Sequence, residues 1–140
     1  MNVNEKGAIG LIEVIRDLTK KGYECFTPFH DYSEVDLIAM DSNYKTVRIQ
    51  VKYRSTYRGV IEVGFRTTSM GKHTPINFDA IDGWAVYCPE IEKVVYISKS
   101  EVDLTKGGIN FRLEEGLNRV NKGKNSIQLY SVFGEITAWK

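Results

Sequence analysis

The sequence predicts an α+β domain built around one central β-sheet. Two observations carry this prediction: an amphipathic helical pattern opens the chain, and several short apolar runs separated by turn residues follow it. The 140 residues are 42% hydrophobic and 26% charged, as is ordinary for a globular domain large enough to bury a core. We therefore expect residues 1–140 to form a single domain.

The opening helix is predicted from Asn4, as its N-cap, to about Lys21. Apolar residues recur in it at helical spacing: Ala8, Leu11, Ile12, Ile15 and Leu18. Lys20 and Lys21 suit the negative end of the helix dipole, and Gly22 is the expected stop.

Apolar runs bounded by turn residues predict the strands, at 23–29, 35–40, 47–53, 59–65, 83–88, 93–98 and 126–133. The turn composition of 41–45 predicts a hairpin that pairs 35–40 with 47–53. Residues 66–77 are polar, basic and rich in turn formers, which predicts an exposed loop. The stretch 103–125 favours neither helix nor strand.

Charge is unevenly distributed along the chain. The net charge of +1 neither favours nor excludes a nucleic-acid partner, but the segment from Arg48 to Pro75 carries six Lys or Arg against one acid, Glu62. Cys25 and Cys88 lie too far apart for metal-ligand spacing, and there is no signal-like or bilayer-spanning apolar run. These features predict a cytoplasmic protein with a local phosphate-binding patch and no membrane partner.

Three residues of the predicted hairpin suggest a catalytic site. Gln50 and Lys52 share one face of their strand, about 7 Å apart, and Asp36 begins the strand expected to pair with it. A hard divalent cation takes carboxylate and phosphate oxygens, and a nearby lysine can orient the attacking water and offset developing charge. The arrangement favours metal-dependent phosphodiester hydrolysis.

This pattern resembles the motif of the PD-(D/E)XK nuclease superfamily, an acid on one strand and an acid-x-Lys triplet on the next. Val35-Asp36 stands where the family has Pro-Asp, and Gln50-Val51-Lys52, fourteen residues later, stands where it has the triplet. Glu13, within "KGAIGLIEVIRDLTKKGY", is the best match to the glutamate that the family adds from the preceding helix. With Gln in the acid position, the stretches "DLIAMD", "VRIQVKYRS" and "IDGWAVYCPEIEKVVYIS" are most similar to the small homing endonucleases encoded within bacterial group I introns.

The resemblance covers about Lys6 to Ser98 and implies a restriction-endonuclease-like core, a mixed sheet flanked by helices. It implies Mg²⁺ as the working ion, with Ca²⁺ as a substitute that does not support cleavage. Asp36 would hold the principal metal together with the substrate phosphate, and Gln50 would be a further ligand. Glu13 would bind a metal-bound water or a second, weaker ion, and Lys52 would position the nucleophile. It also implies cleavage of both strands of a long, pseudo-palindromic duplex site by a homodimer or homotetramer, associated with the nucleoid when bound to DNA.

Each of these residues also has a purely structural interpretation. Glu13 pairs with Arg16 or Lys52 in that reading, and Asp36 caps a turn or pairs with Lys52. Gln50 is as well explained by a structural hydrogen bond as by metal ligation, and Trp84 and Cys88 belong to the core.

The basic strand and loop at about 53–77 are predicted to read DNA, since cations mixed with aromatic and hydroxyl side chains suit phosphate and base-edge contacts. The residues expected to contact DNA are Arg48, Tyr53, Arg54, Tyr57, Arg58, Arg66, Thr68, Ser69, Lys72 and His73. The alternative to DNA reading is that these residues form a solvated hairpin with no ligand.

Three other functions compete with a homing endonuclease. A Holliday junction resolvase would prefer four-way junctions, but its usual triplet has Glu where Gln50 stands. A non-catalytic DNA-binding module would keep the fold without cleaving. A protein-interaction module would show no salt-dependent DNA binding.

Overall fold

A computed structural model of the chain describes residues 1–30, 33–69, 72–112 and 126–128, and at 66–69, 72–75, 111–112 and 126–128 it describes the backbone alone. The opening helix α1 spans Val3–Lys20. Its N-cap is Asn2 rather than the predicted Asn4, because Asn2 and Glu5 form a capping box in which each side chain accepts the other's backbone N–H. Gly22 follows the helix with a φ of 91°, which confirms it as the stop.

Five strands form the central sheet, in the spatial order β1-β2-β3-β7-β8. They are β1 Glu24–Phe26, β2 Leu37–Met40, β3 Thr46–Tyr53, β7 Gly83–Cys88 and β8 Lys93–Ser98. The pair β3–β7 is parallel and the other neighbours are antiparallel. The sheet is therefore mixed, and the predicted α+β class and the β2–β3 hairpin are both confirmed.

A second, three-stranded sheet has the order β10-β9-β4. Its strands are β4 Val60–Gly64, β9 Gly108–Arg112 and β10 Ser126–Gln128. The described part of the ambiguous stretch 103–125, residues 103–112, contributes the strand β9. Residues 113–125, and the part of the predicted strand 126–133 beyond residue 128, lie outside the described residues.

The predicted loop at 66–77 is instead a two-stranded ribbon. Its strands are β5 Arg66–Ser69 and β6 Lys72–Pro75, which pair antiparallel. The loop prediction was wrong because polar, turn-rich composition does not prevent a backbone ladder, which uses main-chain groups alone. We call the ribbon β5–β6 the reading hairpin, after the role that the sequence predicts for it.

The two faces of the central sheet carry separate clusters of buried side chains. On one face, Leu37, Ile49 and Ala85 pack with Val14 and Leu18 of α1. On the other face, the side chains of β7 and β8 pack against the second sheet; they are Trp84, Val86, Cys88, Val95 and Ile97. Within the described ranges, no helix has the length and hydropathy of a membrane span.

Candidate active site

Asp36 lies one residue before β2, where this strand stops pairing with β3. The ladder begins at Leu37 opposite Ile49, and the Asp36 backbone N–H donates to the Ile49 carbonyl at 3.0 Å. The Asp36 carboxylate reaches β3 itself, since Oδ2 accepts the Val51 N–H at 2.8 Å. The side chain of Asp36 thus takes the place of a missing ladder carbonyl through its Oδ2.

Gln50 and Lys52 flank Val51 on β3 and point away from α1. Ile49, one residue earlier, packs in the cluster beneath the helix, and Gly10 of α1 approaches Tyr53, with 3.3 Å between its ideal Cβ and that of Tyr53. Because side chains alternate along a strand, Gln50 and Lys52 belong to the opposite face. The structure therefore brings Asp36, Gln50 and Lys52 to one place.

Burial changes the acidity of both charged groups in this cluster. It raises the pKa of the Asp36 carboxyl, against the opposing effects of the Val51 amide and the Lys52 charge. It lowers the pKa of the Lys52 ammonium; Arg54 lowers it further, and Asp36 opposes the shift. The Lys52 ammonium therefore gives up its proton more readily than that of an ordinary lysine.

Gln50 is only 5% exposed, and both ends of its amide are engaged. The Trp84 indole Nε1–H donates to Oε1 at 3.2 Å, and Nε2 donates to the backbone carbonyl of Glu34 at 3.5 Å. An indole N–H can only donate, so it identifies the oxygen of the amide. This geometry supplies a structural task for Gln50, one of the two roles that the sequence left open.

Glu13 lies on α1 and therefore on the other side of the sheet. Its carboxylate lies 3.8 Å from the Arg16 guanidinium. Burial raises the pKa of the Tyr87 hydroxyl, and the charge of Glu13 raises it further. It lines a groove of about 270 Å³ together with groups that include Lys20 and Glu92. No contact recorded in the described part of the chain joins Glu13 to Asp36, so the structure does not bring it into the cluster.

Arg48, predicted to contact DNA, is committed to the fold. Its Nε and Nη2 donate to the Asp82 carboxylate at 3.2 and 2.9 Å, and Nη1 donates to the Asp79 carbonyl at 2.8 Å. The Asp82 carboxylate also accepts the Arg48 backbone N–H. Since these contacts occupy most of its donors, Arg48 has a structural explanation that the sequence could not reveal, its partner being 34 residues away.

The remaining predicted DNA contacts differ in their surroundings. Tyr57 is 70% exposed, and the Arg58 guanidinium lies over its ring at 5.3 Å from the centroid. Arg54 is half-buried and donates to the Tyr53 carbonyl, and the Tyr53 ring contacts that of Tyr87. In the reading hairpin, Arg66 stands opposite Pro75, while the other positions pair as Thr68 with His73 and Ser69 with Lys72.

Mg²⁺ requires oxygen ligands, and the cluster of Asp36, Gln50 and Lys52 offers it one carboxylate. Among the described residues, no group of three or more His, Cys, Asp or Glu could hold a metal. One carboxylate still fits this ion, because Mg²⁺ keeps several waters and completes its shell with substrate phosphate oxygens. Asp36 supplies that carboxylate.

A model of PD-(D/E)XK endonucleases matches residues 1–133, and the chain belongs to this family. Nucleases of this kind generally depend on a divalent metal ion.

Among solved structures, the fold is similar to that of a bacterial homing endonuclease, I-Ssp6803I. The TM-score is 0.68 at 21% identity, over 89% of this chain and 86% of that one. The similarity confirms the restriction-endonuclease-like fold expected from the sequence. No protein of curated function matches the sequence significantly.

Proposed function

We propose that this protein is a Mg²⁺-dependent, sequence-specific DNA endonuclease of the homing type, acting on both strands of a long duplex site. The observation that carries the proposal is the placement of Asp36 and Lys52 on one face at the point where β2 and β3 diverge. The family match supports the hydrolytic class, and the basic segment leading to the reading hairpin supports a polyanionic substrate.

In this proposal, the Asp36 carboxylate would hold the cation while its Oδ2 stays on the Val51 amide. The cation, when bound, neutralises charge on the scissile phosphate and acidifies a coordinated water. Lys52 orients the attacking water and offsets charge that develops on the phosphate oxygens. Gln50 adds no negative charge, so the site relies on the phosphate to complete coordination. The part that the sequence predicts for Glu13 would require its side chain to reach this face.

The part of the chain that the structure describes has one such cluster, and cutting both strands of a duplex takes two. We therefore expect a homodimer or homotetramer on DNA, with a pseudo-palindromic target that mirrors the symmetry of the protein. Ca²⁺ should support binding without cleavage.

The test is a cleavage assay on a randomised duplex library and on a synthetic four-way junction, each in Mg²⁺ and in Ca²⁺. Recovery of one long site cut on both strands in Mg²⁺, lost in Asp36→Asn and Lys52→Ala, is the expected result. Preferential cutting of the junction would instead identify a resolvase. Binding without cleavage of either substrate would identify a non-catalytic module.

A further inference from the structure

We propose that Trp84 and Glu34 are positioning residues that hold Asp36 against β3 and connect it to the base of the reading hairpin. The inference builds on the proposed nuclease function, because its purpose is to set the place of the Asp36 carboxylate. Neither residue belongs to the motif of the resemblance, and the sequence assigned Trp84 to the core.

The first connection passes through Gln50. Trp84 and Gln50 are register partners on the parallel strands β7 and β3, so their side chains lie side by side on the face opposite α1. The indole N–H donates to Gln50 Oε1, and Gln50 Nε2 donates to the Glu34 carbonyl. Trp84 is fully buried, so a lost hydrogen bond here leaves the Gln50 oxygen without a partner rather than exposing it to water.

The second connection runs from Glu34 to the hairpin. Its two carboxylate oxygens accept the backbone N–H of Asn77 at 3.2 and 3.3 Å. Asn77 comes two residues after β6 and N-caps the 3₁₀ turn Phe78–Ala80. The backbone carbonyl of Glu34 therefore contacts Gln50 on β3, and its side chain contacts the base of the reading hairpin.

The aromatic rings join the same two places. The Ile76 N–H donates to the Phe65 carbonyl, which closes the base of the hairpin. The Phe65 ring stacks on Trp84 with centroids 5.1 Å apart and an interplanar angle of 23°, and Phe78 meets both rings edge-on. The ring of Trp84 thus contacts the base of the reading hairpin, and its indole N–H contacts Gln50 on β3.

These bonds matter because residues 33–36 precede the β2 ladder. Regular pairing with β3 begins at Leu37, and before it Asp36 has a single backbone bond to β3. Displacing Glu34 would therefore shift the carboxylate of Asp36, which lies two residues later in the chain. A displacement of about 1 Å at a reacting group costs roughly 100-fold in rate.

The variants isolate each contact. Glu34→Ala removes the carboxylate and keeps the carbonyl, while Glu34→Gln, the matched control, keeps an oxygen for the Asn77 N–H. Trp84→Phe keeps a ring to stack on Phe65 and removes the indole N–H. The duplex site recovered from the library is the substrate, and three quantities are measured. They are the single-turnover cleavage rate at saturating enzyme in Mg²⁺, the DNA affinity in Ca²⁺, and amide hydrogen exchange at Asp36 and Val51 in the free protein.

We expect Glu34→Ala and Trp84→Phe to slow cleavage by roughly 10- to 100-fold, with affinity in Ca²⁺ within about threefold of wild type. Exchange at Asp36 and Val51 should be faster in both variants, and Glu34→Gln should match wild type in all three quantities. Unchanged exchange in Glu34→Ala would overturn the proposal, as would a loss confined to DNA affinity. Should wild type cut no DNA at all, the proposed function fails, while the exchange rates still decide whether Glu34 and Trp84 hold this segment.

Discussion

The Asp36 carboxylate accepts the backbone amide of Val51 at 2.8 Å, just where β2 ceases to pair with β3. One oxygen of the proposed metal ligand therefore has a structural task, which separates two substitutions that are often used interchangeably. Asp36→Asn keeps an oxygen for Val51 and removes the charge, while Asp36→Ala removes both.

We expect Asp36→Asn to abolish Mg²⁺-dependent cleavage with a free energy of unfolding close to that of wild type. Asp36→Ala should also be inactive, but less stable by about 1–3 kcal/mol, because the Val51 N–H loses its partner. Urea unfolding and cleavage assays on both variants check this. Equal stability of the two would show that water replaces the carboxylate at no cost.

Glu13 tests the role that the sequence predicts for the helix. Because Glu13 lies on the α1 side of the sheet with Arg16 and Tyr87, we expect Glu13→Gln to retain cleavage within about tenfold of wild type, far above Asp36→Asn. Single-turnover rates of the two variants under the same conditions decide the matter. A loss as deep as that of Asp36→Asn would return Glu13 to the metal site.

Acid should weaken the contact between Arg48 and Asp82. Burial acts to raise the pKa of Asp82, but the hydrogen bonds from Arg48 and the charges of Arg48 and Lys99 outweigh it, and the pKa lies below its ordinary value. A lowered folded-state pKa adds stability at pH values above the unfolded pKa of about 3.9, and this stability is lost as pH falls through the folded value.

Asp82→Asn should therefore be less stable than wild type by about 1–2 kcal/mol at pH 7, the partial exposure of the pair keeping the figure modest. The difference should narrow below about pH 4. Urea unfolding of both proteins at pH 7 and at pH 3 measures it. A difference that stays constant across this range would mean that the charge of Asp82 contributes nothing.

Among the described cations of the basic segment, Arg58 is well placed to contact phosphate, since it is exposed and lies over the ring of Tyr57. Its φ of 52° is positive, which Asn tolerates well, so Arg58→Asn removes the charge with little backbone strain. We expect weaker DNA binding in Ca²⁺ and a slope of log affinity against log salt that is smaller by about one. Fluorescence anisotropy at several salt concentrations measures both.

Arg16→Gln is the control for that experiment, since Arg16 is an exposed cation on α1, across the sheet. Its salt slope should equal that of wild type. Equal slopes for Arg58→Asn and wild type would remove Arg58 from the DNA interface.

Local pattern was sufficient to predict much of this protein. The helical spacing of α1, the turn at 41–45 and the apolar runs of β7 and β8 are properties of neighbouring residues, and each element appears where predicted. Strand periodicity likewise placed Gln50 and Lys52 on one face, with Asp36 on the paired strand. The family followed from the same residues.

Contacts between distant segments were decided by the tertiary structure alone. Periodicity says that a strand has two faces but not which one a helix covers, so the position of Glu13 relative to Asp36 could not be read from spacing. The Arg48–Asp82 and Gln50–Trp84 contacts each join residues 34 positions apart, and the local sequence around one partner does not predict the other. The pairing of β5 with β6 could not be predicted for a related reason. Its ladder joins backbone groups, which every sequence possesses. The sequence by itself determined α1, the strands of the central sheet and the motif, and tertiary packing determined the long-range partners of Arg48 and Gln50.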